Sequence, residues 1–288
     1  MVLIKKLLKW TTILIGSLLV IIIILAIIFN QLTYSLLIGI GSMDLYNGNN
    51  ERGNKIMSYA LSKIDKPRAE TYHMMSVQNT KNGNYNLAIN SLEKAIKLDP
   101  EEGTAYYGWV LLYYYHDFQK ALEILEQHDS YTPNFSDAPM GEDVHYLKGL
   151  CYMQLNNYQE AKKEFDTYIN NLAVEGNEDY VDVYTFVQKG RCLYQLGQHK
   201  LAIESYKKAI KYYENCTEAY YFMGLAQLEI GEREIACQNL NTALNLIKKG
   251  YKSSDTYVEY FHEIYPQQIE DSISMSCKKN TLGNKELC

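Results

Sequence analysis

His262-Glu263 is where the 288-residue chain comes nearest to a metal-dependent hydrolase. A zinc-protease helix needs a second imidazole four residues after the first, so that both project from one face. That position is Pro266, and the pattern fails. Gly39 and Gly41 do not extend into a loop that could cradle phosphate, and the chain has no Gly-Lys-Ser/Thr run. The six histidines lack ligand spacing and read as ordinary polar residues. The six cysteines include no Cys-x-x-Cys pair, which argues against a zinc ribbon or a thioredoxin-like centre. Cys151 and Cys192 read as small buried hydrophobes, and Cys277 and Cys288 fall in a polar tail where an oxidising compartment would allow a disulfide. No catalytic residue, metal site or cofactor is expected, and no enzyme. Function must then come from surfaces and from the elements that carry them.

With 47% hydrophobic residues the chain can bury a core or a stacked array. Setting aside Lys5, Lys6 and Lys9, 25 basic residues remain against 34 acidic ones, a balance of -9 that disfavours nucleic acid as a partner. Trp10 to Phe29 is uncharged and rich in Ile and Leu. As a helix it spans roughly 30 Å, enough to cross a bilayer. The run ends without a small-x-small cleavage site, so an uncleaved anchor at 10–29 is expected after a short basic segment at 1–9. No basic residue comes after the run until Arg52, and the positive-inside rule places the N-terminus in the cytoplasm. The rest of the chain would then lie on the non-cytoplasmic side, periplasmic in a bacterium.

Beyond this apolar run an internal period organises the chain. Gly190, Ala202 and Ala209 recur as Gly224, Ala236 and Ala243, each displaced by 34 residues. Asn82-Gly83-Asn84-Tyr85, Ala88 and Ala95-Ile96-Lys97-Leu98-Asp99-Pro100 together resemble the second half of a tetratricopeptide repeat. The resemblance implies an all-α fold: a right-handed α-solenoid of about six helix-turn-helix units preceded by one transmembrane helix. The units are placed at 34–66, 69–100, 103–134, 142–175, 183–216 and 217–250, with acidic loops at 129–143 and 175–182. Such stacks need caps, and the segment 254–264 has helical character, so a capping helix is expected at 251–266 and a flexible tail at 267–288.

In this family, set positions of each unit's first helix face a concave groove. Carried onto this chain, the resemblance nominates His73, Tyr107, Tyr146, Val187 and Tyr221 in one row and Val77, Leu111, Leu150, Arg191 and Leu225 in the next, with Tyr114 and Tyr194 beyond them. Tyrosines so arranged suit capture of a peptide or helix, because each offers large area at low rotamer cost. The alternative is that these side chains pack against neighbouring helices or lie under the C-terminal segment. The Lys and Asn that hold a C-terminal carboxylate in chaperone-binding members are absent from these rows. The expected function is a membrane-anchored scaffold for a protein or peptide partner, or alternatively a regulatory or assembly subunit of a membrane enzyme or transporter complex.

Overall fold

The structure is a computed structural model that describes residues 2–133, 135–174, 176–255 and 258–277; among them are thirteen α-helices and no strand. The chain divides into two compact units, Met1–Gly103 and Thr104–Cys288.

In the first unit, α1 (Val2–Tyr46) runs unbroken for 45 residues, about 68 Å of helix. No boundary separates the expected anchor from the first repeat helix. No proline interrupts this stretch, and the hydroxyls of Thr33 and Ser35 bond back to the carbonyls of Phe29 and Gln31 without ending the helix. From Ile15 to Tyr46 it is long and apolar enough to cross a membrane, and Leu18 to Leu25 are all exposed. Its last turns pack on α2 (Asn50–Leu61): Gly41 and Gly53 sit so close that a Cβ on either would strike Met57 or Leu45. Helices α3 (Ala69–Lys81) and α4 (Tyr85–Leu98) come next. Asn54 and Asn79 exchange buried amide hydrogen bonds at 2.8 Å in both directions, joining α2 to α3.

The second unit takes over within α5 (Pro100–Val110), which runs into a π-helical turn at Leu111–Tyr115. Asp117 then caps α6 (Phe118–Asp129) by accepting the Lys120 N–H. Three antiparallel pairs complete the array: α7 (Val144–Gln154) with α8 (Tyr158–Val174), α9 (Val183–Gln195) with α10 (His199–Tyr212), and α11 (Thr217–Glu229) with α12 (Arg233–Lys248). Each crossing uses one device, a glycine under a bulky side chain: Gly149 beneath Phe165, Gly190 beneath Tyr206 and Gly224 beneath Leu240. Asp143 and Asp182 cap α7 and α9, and Cys151 and Cys192 are buried.

The C-terminal expectation is corrected. Residues 251–255 and 258–265 are not helical; the last described helix, α13, is Pro266–Ser276, which begins at the last residue of the expected capping helix and runs into the stretch expected to be loose. Proline disfavours helical backbone at the residue before it and suits the first helical turn, so Pro266 starts a helix rather than ending one. Upstream, Asp255 and Glu263 accept the backbone N–H groups of Val258 and Tyr260, which competes with helix formation. Ile264 and Ile269 are buried against Ala243 and Ile247. A disulfide between Cys237 and Cys277, with Cα atoms 5.7 Å apart, ties α13 to α12. Cys288 lies outside the described residues.

Candidate functional site

The expected groove residues fall in both units. His73 and Val77, on α3, are half-buried in the first unit, where burial lowers the His73 pKa against the opposing charge of Glu102. The other ten lie in the second unit. Tyr107, Leu111, Tyr146, Leu150 and Val187 are buried core residues, not exposed lining. Tyr114, Arg191, Tyr194, Tyr221 and Leu225 are half-buried.

The register on α5 is also corrected. Gly149, Gly190 and Gly224 each meet a side chain sixteen residues later, whereas Gly108 meets Leu125, seventeen later. The π-helical turn supplies the extra residue. Gly108 is therefore the equivalent of Gly149, and Trp109, not Leu111, stands level with Leu150, Arg191 and Leu225; Ala105 replaces Tyr107 in the neighbouring row. Trp109 packs against Tyr113 and Tyr114, and its indole N–H and the Tyr113 hydroxyl both donate to Glu142, at 2.8 and 2.9 Å.

Across these residues lie Ser253 and the chain's own segment 258–264. The Phe261 ring stacks on Tyr113 with centroids 5.7 Å apart and meets Phe118 edge-on at 5.9 Å. The His262 ring stacks on Tyr184 at 4.2 Å. Arg191 donates one NH1 group to the Phe261 carbonyl at 2.5 Å and to Gln188 Oε1 at 2.9 Å. Gln188 is thereby oriented, its Nε2 donating to His262 Nδ1 at 3.1 Å, while His262 Nε2–H donates to Ser253 Oγ at 2.9 Å. Farther along, the Tyr221 hydroxyl lies 3.5 Å from Ser272 Oγ. Trp109, Tyr113, Tyr184 and Gln188 were missed from sequence. Only the π-turn register and the position of the C-terminal segment reveal them.

The network requires a neutral imidazole, because a proton on Nδ1 would face the Gln188 amide hydrogens. Burial, then the nearby Arg191 charge, depress the His262 pKa from 6.5 to about 3. Such a group contributes stability above pH 6.5 that is lost as pH falls toward 3. Between pH 6.5 and 5 the stability advantage of the wild-type chain over His262→Asn is expected to shrink by about 2 kcal/mol. Thermal unfolding of both chains across that range checks this, and parallel curves would contradict it. Taking the difference removes the opposite trend of Glu142, Asp182 and Glu218, whose pKa values burial raises.

Family models described as "Tetratricopeptide repeat" match residues 69–102 and 142–170, and one described as "TPR repeat" matches 190–231. No curated protein matches the chain in sequence. Among solved structures, a MamA protein is 22% identical with a TM-score of 0.51, over 66% of this chain and 98% of that one. MamA residues 41 to the end from Desulfovibrio magneticus RS-1 give 16% and 0.54, over 65% and 98%. Pseudomonas aeruginosa PilF gives 17% and 0.52, over 84% and 99%. At these identities the likeness is one of fold. Matched repeats, paired helices crossing at glycines and these structural neighbours agree: the chain carries tetratricopeptide repeats.

Proposed function

We propose that the chain is a membrane-anchored interaction scaffold, without chemistry of its own, that binds an extended protein segment along a concave groove of a right-handed repeat solenoid. The apolar part of α1 is the single-pass anchor. Lys5, Lys6 and Lys9 keep its N-terminus in the cytoplasm and the repeats on the other side, in the periplasm if the cell is bacterial. The observation that carries the reading is the resident segment 258–264: the face built by Tyr113, Tyr184, Gln188 and Arg191 already holds a non-helical stretch of polypeptide by its rings and by a backbone carbonyl. A surface that binds one extended segment in this way has the chemistry to bind another.

Site-specific photocrosslinking in intact membranes tests this. A benzophenone side chain at Tyr194, beside that face, is expected to capture a discrete partner band. The same group at Lys207, exposed on α10, should not. Adducts at Lys207 alone would move the binding surface elsewhere.

A further inference from the structure

Resting on that reading of the face, we infer that Arg191 is the anchor for a carboxylate on the partner, carried by an extended segment with an adjacent aromatic ring that enters in place of Tyr260–His262.

Arg191 is anomalous within its unit. The other enclosed cations have acidic partners: Lys148 pairs with Asp129 at 2.8 Å and Glu164 at 3.2 Å, and Lys189 pairs with Asp166 at 2.5 Å. Among the described residues no carboxylate lies within ion-pair distance of Arg191, which bonds only the neutral Gln188 amide and the Phe261 carbonyl. Its guanidinium lies 5.0 Å from the centre of the Phe222 ring, which screens one side from water. A guanidinium presents a fork of donors shaped for a carboxylate, and such charge-assisted bonds are roughly twice as strong as neutral ones. Among the described residues the site therefore holds a cation with no carboxylate partner. Glu142 and Asp182 line a pocket of about 290 Å³ with Tyr260 and His262, and Arg191 is not among its lining residues.

The resident segment shows the spacing a partner must match. Phe261 places its ring against Tyr113 and Phe118 and its carbonyl on Arg191, so a ring and a carboxylate on the same or the next residue would occupy both. It also explains why the carboxylate is needed. The segment is tethered at Lys248 and again by the Cys237–Cys277 disulfide, so its effective concentration over the face is high. A competitor's apparent affinity falls by the fraction of time the face is free. A neutral segment would only exchange one carbonyl for another, whereas a carboxylate gains an interaction the resident segment lacks.

The test uses the full chain in detergent, as wild type and with Phe261→Ala and His262→Ala to weaken the resident segment. Three fluorescent peptides are titrated: Val-Glu-Tyr-Phe as the free acid, the same peptide as its amide, and Val-Glu-Tyr-Phe-Asp as an amide. The free acid, the Asp peptide or both should bind about tenfold more tightly than the plain amide. Their order tells a terminal from a side-chain carboxylate. Arg191→Gln should remove the preference, with circular dichroism melting confirming the fold. If the weakened chain does not fold, the same ratio is read on wild type at higher peptide concentration. Equal binding of acid and amide, a preference that survives Arg191→Gln, or no binding by any peptide would overturn the inference. Discrimination among peptides without membrane adducts at Tyr194 would overturn the functional reading and leave the subsite standing; adducts without discrimination would do the reverse.

Discussion

Tyr206→Ala is expected to destabilise the second unit by about 3–5 kcal/mol, the range for removing a large buried ring. The Tyr206 side chain is fully buried, covers Gly190 and stacks on Phe222 with centroids 6.2 Å apart, so α9, α10 and α11 all lose contacts when it goes. From the other side, Gly190→Ala drives a methyl group into the same ring and should cost about 1–3 kcal/mol. The two changes are not independent. In the Tyr206→Ala background the methyl enters the vacated space, and Gly190→Ala should become nearly neutral, a coupling of the size seen between residues in contact. Urea unfolding of the four chains reads this as shifts in midpoint at constant slope. Additive effects of the two substitutions would show that the ring and the glycine do not meet.

Lys148→Met should be the most damaging change outside the apolar core. The Lys148 side chain is 8% exposed and joins Asp129 on α6 to Glu164 on α8, while His145 Nδ1 lies 2.7 Å from the same Glu164 oxygen. Burial pulls the Glu164 carboxyl upward, yet the hydrogen bond from His145 and the charge of Lys148 carry it below its usual 4.5. Removing the lysine strands two carboxylates with little water. A loss of about 2–3 kcal/mol is expected, below the value for a wholly buried pair because Asp129 and Glu164 keep part of their hydration. The stabilisation from Glu164 is present above pH 4.5 and lost as pH falls through its lower folded value, so the gap between wild type and Lys148→Met should narrow in acid. Adding Glu164→Gln to Lys148→Met should recover part of the loss at neutral pH. Failure to recover any would mean that the methionine's packing, not the orphaned charge, caused the damage.

Legibility in the sequence depended on whether the physical cause was local. Glycine and alanine recurring every 34 residues are readable because two helices can cross closely only where side chains are small, and that demand repeats with each pair. The uncharged run after Lys9 was readable for the same reason, since length and apolarity alone decide whether a helix suits a bilayer. The shift on α5 was not. It comes from a single residue absorbed by a π-helical turn, and it moved Trp109 into the row assigned to Leu111.

The C-terminal segment shows the limit most clearly. Residues 254–264 carry a helical pattern, but Tyr260, Phe261 and His262 gain more by docking on Tyr113, Tyr184, Gln188 and Arg191 than a short helix could return. Those partners lie some 70 to 150 residues earlier in the chain. Likewise Cys277 pairs with Cys237, a choice made by proximity in space, which spacing along the chain does not encode. Composition and period by themselves determined a helical repeat protein with an apolar N-terminal helix, because each repeat's requirements are met within its own 34 residues. Only the tertiary structure decided what covers the tyrosine-bearing face and gave Arg191 no carboxylate among the described residues, because those contacts exist only once the paired helices have stacked.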